Sequence, residues 1–281
     1  MPGIRVVADS ACDLPEDLVA RHRLTIVPLT IRFGAEELAD VGPKDFWVKC
    51  RQSSVLPATA APAPGAFAEA FGRLAADGAD GVVCINLSSK LSATIASAQT
   101  AMREAGVTIP VEVIDSTSVS LGQGLLVIGA ARLAEEGKSL AEVADYVTAS
   151  APRVRVYGVL DTLENLKKGG RIGGAQALLG SMLAIKPVIE IRDGVVHEES
   201  KQRTRGRSLQ YLANKVIEAA GAGQVSELGI MHGDAADIDK FIDLVATVVP
   251  REKMLVGLVG AVIGTHAGPG VVGVTWIEPA A

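Results

Sequence analysis

The strongest constraint on this chain is an alternation in its first half, where short continuous apolar runs take turns with helical stretches. Ile4 to Ala8, Leu24 to Ile31, Gly81 to Ile85 and Val111 to Ile114 read as strands. Between them, Gly65 to Asp77 sets Phe67, Phe71 and Leu74 on one helical face, and Leu91 to Ala105 supplies another helix. Strands apolar on both faces and separated by helices predict a parallel sheet covered on both sides. The segment Arg51 to Pro64 carries three prolines. It is incompatible with a regular helix or an interior strand, so we expect an ordered loop over a sheet edge.

The second half has a different texture. Val154 to Val159 reads as a strand and Asp161 to Lys168 as a short helix closed by Gly169-Gly170. Lys186 to Arg192 and Val195 to Lys201, joined by Asp193-Gly194, predict a hairpin, because Asp-Gly supplies the positive φ angles of a tight turn. Leu209 to Ala220 and Ala236 to Val248 read as helices around a strand from Leu228 to His232. The fold class is therefore α/β with two domains. Residues 1–152 form an N-terminal, mostly parallel sheet flanked by helices, and 153–281 a C-terminal mixed sheet with helices; the boundary is set at Val147 to Arg153.

Composition removes several function classes. A net charge of −5 without a basic stripe offers nothing to nucleic acid or to anionic lipid. Cys12, Cys50 and Cys84 are odd in number and widely spaced, which fits reduced thiols in a cytoplasm, and the opening apolar run is too short for a signal peptide. Met254 to Val274 contains no charge, a length able to span a bilayer, yet it carries six glycines with His266 and Pro269. Two short buried strands joined by a Gly-rich loop account for it better than a lipid-facing helix.

No G-x-S-x-G elbow, H-E-x-x-H, nucleotide P-loop or zinc-type Cys/His spacing occurs, and no cofactor is expected. Four histidines are scattered. His266, in uncharged Gly-rich sequence, is costly to bury without a polar partner. Asp9, Asp115 and Ser116 follow predicted strands, where ligand sites of open α/β sheets gather, and equally suit helix capping. From the residues alone Thr59 reads rather as a loop hydroxyl and Arg203 as part of a solvated basic face with Lys201, Arg205 and Arg207, while Ser92 reads equally as an N-cap.

Five stretches in order resemble the DegV family. They are Asp9-Ser10-Ala11-Cys12-Asp13-Leu14-Pro15; Ala58 to Pro64; and Leu91-Ser92-Ala93-Thr94 followed by Val113-Ile114-Asp115-Ser116 with Gly122 and Gly124. The fourth runs from Leu163 through Lys167-Lys168-Gly169-Gly170-Arg171-Ile172 to Ile185-Lys186-Pro187 and Lys201-Gln202-Arg203. The fifth is Gly264-Thr265-His266-Ala267-Gly268-Pro269-Gly270. The resemblance implies a non-enzymatic carrier of a long-chain fatty acid or its acyl phosphate, held between and within the two domains. It implies a separate bacterial fatty-acid kinase subunit as partner, and no stable membrane insertion. Carried over by position, the head-group set is Thr59, Ser92, Arg203 and His266, with Ser10, Ala93, Ser116, Thr265 and Arg205 beside it. The family's polar loop residues are here Ala60, Ala61 and Ala63, and Ala93 replaces the residue after the family serine.

The chemistry is coherent. Hydroxyls, a guanidinium fork and an imidazole compensate a desolvated carboxylate, and about fifteen buried methylenes at about 0.8 kcal/mol each give on the order of 12 kcal/mol gross. With aromatic residues at only 4%, the tunnel should be lined by Leu, Ile, Val, Ala and Met. Two other readings stand beside this one, the second on fold analogy alone. One is an acyl hydrolase or transferase with Ser92 as nucleophile, His266 as base and Asp9 or Asp115 as orienter; the other is a binder of a polar phosphorylated small molecule.

Overall fold

The computed structural model describes residues 3–39, 41–104, 106–177 and 185–280. The first half opens with β1 (Ile4–Asp9), α1 (Glu16–Arg21), β2 (Thr25–Val27), β3 (Thr30–Phe33), β4 (Glu36–Ala39), α2 (Pro43–Gln52) and β5 (Ala58–Ala60). It continues with α3 (Pro64–Ala76), β6 (Gly81–Asn86), α4 (Thr94–Glu104), β7 (Val111–Asp115), α5 (Leu121–Glu135) and α6 (Leu140–Ser150). Strands β2-β1-β6-β7 form a four-stranded sheet in which every pairing is parallel. All six residues of β6 are buried, as a central strand covered on both faces requires.

The expected strand Leu24 to Ile31 is two strands in different sheets. Pro28, which has no N–H for a ladder, stands at the break. Thr25–Val27 pairs with β1, while β3 joins a three-stranded antiparallel sheet of order β4-β3-β5. The Arg51 to Pro64 segment likewise includes more structure than a loop. Its first two residues close α2, and Ala58–Ala60 is an edge strand paired through Thr59 to Ile31. An edge tolerates flanking prolines, so the exclusion of an interior strand stands. The α4 helix starts at Thr94 rather than Leu91, and the last residue expected in it, Ala105, lies outside the described residues.

The second half contains β8 (Val154–Val159), α7 (Glu164–Lys168), β9 (Lys186–Arg192), β10 (Val195–Gln202), α8 (Arg205–Gly221), β11 (Leu228–His232), α9 (Ile238–Val245), β12 (Met254–Leu258), α10 (Ala261–Ala267) and β13 (Val272–Ile277). Its six-stranded sheet, β10-β9-β8-β13-β11-β12, is mixed: β11 and β12 run parallel and the other pairings are antiparallel. Asp193 and Gly194 both have positive φ, 51° and 78°, and turn the β9–β10 hairpin as their sequence predicts. The tip docks on the first half, where Ser88 Oγ donates to the Gly194 carbonyl at 2.6 Å. The uncharged stretch Met254 to Val274 holds two strands, of which β13 is buried as expected while β12 lies at the sheet edge and is only partly covered, and α10 occupies most of the intervening loop. Among the described residues no helix is long and apolar enough to cross a membrane.

Helix α5 explains how the two large sheets meet. Leu121 to Ile128, Ala130 and Ala131 are all buried, on every side of the helix. An apolar surface all round demands cover all round. One continuous core contains Leu121, Leu126 and Val127 together with Val83 and Ile85 of the parallel sheet and Val156 and Met231 of the mixed sheet. Small residues set the spacing: a Cβ at Gly122 would stand 2.5 Å from Val156 Cγ2, so the start of α5 rests directly on β8. Between α6 and β8 the chain makes one 3-10 turn, Ala151–Arg153.

Candidate functional site

A cavity enclosing about 850 Å³ of space, part of it open to solvent, lies between the cavity-facing side of the mixed sheet and the loops that follow β6 and α7. Its wall is almost wholly apolar and includes Leu87, Leu160, Ile189, Val196, Met231 and Val262. That lining matches the aliphatic tunnel expected from the scarcity of aromatic residues.

Among the described residues, few of those lining this cavity bring polar side chains to it: Thr59, Ser92, Ser120, Arg171 and His266. Thr59 comes from the edge strand β5 and His266 from the last turn of α10, and Thr59 Oγ1 and His266 Nε2 share a hydrogen bond of 3.0 Å across 207 residues of sequence. The imidazole is fitted tightly. A Cβ at Gly169 would lie 2.3 Å from Nδ1, so the Gly169-Gly170 turn that ends α7 must be glycine where it passes the ring. Asn165 ties α7 to α10 from the other side, donating from Nδ2 to the Thr265 carbonyl at 3.0 Å.

Arg171 follows the same turn. Its Nε donates to the Leu91 carbonyl at 3.0 Å and its Nη1 to the Gly169 carbonyl at 2.6 Å, which fixes the guanidinium beside Ser92 and the imidazole. Both partners are neutral carbonyls, so they orient the cation without neutralising it. Ser92 Oγ bonds Thr94 Oγ1 at 2.8 Å and accepts from the Thr94 N–H at 3.3 Å, a local capping arrangement at the start of α4.

His266 Nδ1 is sealed from solvent and has no partner among the described residues. Burial, reinforced by the charge of Arg171, pushes its pKa down to about 4, so the ring is neutral at neutral pH. The unfolded chain, with an ordinary value of 6.5, holds a proton between those values that the folded chain lacks. Stability therefore falls as pH drops through that window. Asp13 carries the opposite sign. Burial raises its carboxyl to about 7 despite bonds from Ser120 Oγ and the Gly260 N–H, so its contribution is lost as pH rises toward that value. A comparison of variants separates the two. His266→Asn is expected to remove a slope of up to about 1.4 kcal/mol per pH unit, read from urea unfolding of ligand-free protein at about pH 7 and about pH 5. Equal slopes in variant and parent would refute the neutral buried ring.

The structure gathers three of the four principal residues expected from sequence, Thr59, Ser92 and His266. The fourth, Arg203, is exposed just beyond the end of β10 and does not line the cavity; the guanidinium there is Arg171. Arg203 stands where the strand has left the sheet for α8, whereas Arg171 is folded inward by the glycine turn. Arg205 is held elsewhere, forking onto Asp237 at 2.9 and 2.8 Å. Ser10 accepts from the Leu29 N–H at 3.0 Å, Ser116 accepts from the Ser118 N–H at 3.1 Å, and Thr265 donates back to the Ala261 carbonyl at 2.8 Å, and none of the three lines the cavity. Ala93 is exposed. Ser120, which lines the cavity, carries no motif in the sequence that singles it out.

No nucleophile–base–orienter relay is assembled from the hydrolase candidates. Ser92 bonds Thr94 and His266 bonds Thr59, while Asp9 accepts from the Ala11 and Leu87 N–H groups and from Asn86, and Asp115 from the Ser89 and Thr117 N–H groups. All three cysteines are free, and among the described residues no cluster suited to a metal ion occurs.

Comparisons with known proteins agree along the whole length. A family model described as the uncharacterised DegV family matches residues 3–279. A DegV domain-containing protein of Streptomyces coelicolor is 36% identical over 276 residues, covering 96% of this chain and 97% of that protein. Among solved structures, a DegV family protein from Thermus thermophilus, described for its fatty acid binding, superposes with a TM-score of 0.89 at 33% identity, covering 99% of this chain and 100% of its own. DegV of Bacillus subtilis, a fatty acid binding protein, gives the same TM-score at 29% identity, with 99% of each chain covered. The motifs, the pair of sheets around a buried helix and these full-length matches converge: the chain belongs to the DegV family.

Proposed function

We propose that this protein binds a long-chain fatty acid, burying the acyl tail in the apolar cavity, and presents the carboxylate to a separate kinase subunit for phosphorylation. Residues 1–152 and 153–281 act as its two α/β domains, with the ligand between and within them. The head group rests on Thr59, Ser92, Arg171 and His266. The carrying observation is the grouping of one oriented cation, one imidazole and two hydroxyls on the wall of an otherwise apolar cavity. A free carboxylate with an aliphatic tail matches that polarity at both ends. A polar phosphorylated ligand would leave most of the wall facing polar groups, which disfavours it. The fatty acid binding of the Thermus and Bacillus relatives supports the same reading. Exposed Lys167 and Lys168, close in sequence to Arg171, suit the approach of the partner.

Native mass spectrometry of freshly purified protein, followed by organic extraction, tests this. A stoichiometric adduct released as a long-chain fatty acid is expected, and ATP alone should leave it chemically unchanged. A mass that stays unshifted after incubation with palmitic acid would overturn the fatty-acid reading. Acyl phosphate made by this chain alone would remove the partner subunit from it.

A further inference from the structure

We propose that a cross-strand pair of glycines, Gly158 and Gly273, sets the length of acyl chain this protein accepts; the inference rests on the fatty-acid reading above. The two residues face each other in the antiparallel pairing of β8 with β13, in the middle of the mixed sheet, and both line the cavity. Alternation along the strands places Val156, Gly158 and Leu160 on the side of the large shared core, while Tyr157 and Val159 point to the other face. On β13, Val271 belongs to that same core and Val272 and Val274 to the opposite one, so Gly273 shares the face of Gly158.

Glycine weakens a strand interior and commonly marks a place where something else approaches closely. The neighbouring pair, Val156 opposite Thr275, shows what approaches next door. There a Cβ at Gly122 of α5 would lie 2.5 Å from Val156 Cγ2 and 3.3 Å from Thr275 Oγ1, so helix and sheet are in direct contact. One step along, at Gly158 and Gly273, the sheet lacks side chains and the cavity begins. The floor is open over Gly158, is crossed by the Met231 side chain over Gly273, and is closed where α5 sits. The glycine pair is thus a trough: the missing side chain of Gly158 leaves its depth, and that of Gly273 lets Met231 lie close over the sheet.

The two glycines differ in how they tolerate change, which makes the idea testable. A Cβ at Gly158 would meet only Ile189 Cγ1 at 3.5 Å, an ordinary contact, and its backbone lies outside the left-handed region. At Gly273 a Cβ would lie 2.9 Å from Met231 Cγ and 3.0 Å from the Tyr157 carbonyl oxygen, so substitution there would also strain the sheet. Gly158 is the position to fill.

The experiment compares parent, Gly158→Ala and Gly158→Val for binding of saturated fatty acids from decanoic to stearic acid, with thermal melts of each ligand-free protein. A valine side chain takes the room of about three methylenes, and each methylene is worth roughly a fourfold change in affinity, so Gly158→Val should weaken stearic acid roughly fiftyfold. Decanoic acid should change by less than about twofold. Gly158→Ala should shift the profile by about one methylene, and neither melt should fall, because strands favour side chains over glycine. Should the valine protein fail to fold, the alanine series carries the same comparison. Uniform weakening at every chain length, or an unchanged profile, would overturn the glycine assignment while leaving fatty-acid binding intact. A parent protein that binds none of the acids would overturn both readings.

Discussion

Arg171→Ala is expected to weaken binding of a long-chain fatty acid by roughly 30- to 1000-fold, against less than about twofold for Arg203→Ala. The size follows from what the substitution leaves behind. A carboxylate drawn into an apolar cavity gives up its water, and the guanidinium is the one full positive charge on the cavity wall among the described residues. The hydroxyls of Thr59 and Ser92 and a neutral His266 remain, but neutral donors contribute about half as much as charged ones. Arg171 also braces the site through the Leu91 and Gly169 carbonyls, so Arg171→Lys, a point charge without the fork, should recover only part of the loss. Competition against a fluorescent fatty acid would measure all three variants. Equal losses for Arg171→Ala and Arg203→Ala would return the head group to the position that sequence resemblance first indicated.

Trp47→Ala should cost about 3–5 kcal/mol of folding stability, the largest effect we expect from any single truncation away from the cavity. The indole is 2% exposed and lies edge-on to Phe46, with ring centroids 4.9 Å apart. It fills the space left by two glycines: a Cβ at Gly264 or Gly233 would lie 2.8 Å from Trp47 Cζ2. Its Nε1 donates to the Val259 carbonyl at 2.8 Å, just before α10. Truncation therefore opens a cavity, orphans a buried carbonyl and loosens the helix that carries His266. Urea unfolding followed by the remaining tryptophan, Trp276, and by circular dichroism would give the loss. A cost under about 1 kcal/mol would mean that α2 is not a structural partner of α10.

Much of this architecture is legible in the sequence because local signals agree with the final environment. The β9–β10 hairpin is announced by Asp193-Gly194, and the bounds of β8 and β11 follow from their apolar runs. Helix α5 is harder to read for a physical reason: buried on all sides, it has no polar face and hence no helical period. Helix α10 is masked by glycines within it and at its ends, of which Gly264 serves contact with Phe46 and Trp47 rather than a turn. At the site, Thr59 and His266 could be named from motifs, but their bond spans 207 residues and no local pattern predicts it. That Arg171 lines the cavity and Arg203 does not depends on the direction in which the chain leaves the Gly169-Gly170 turn, which a string of residues does not contain.

Helix α5 also bears on how the molecule comes apart. Each half keeps a smaller core of its own, but the largest core draws on both large sheets and belongs to neither half alone. A chain cut after Arg153 would leave the first half with an uncovered apolar helix and the second with a bare sheet face. Melting should then run as a single cooperative transition across both halves, so that damage to either sheet lowers the midpoint of the whole.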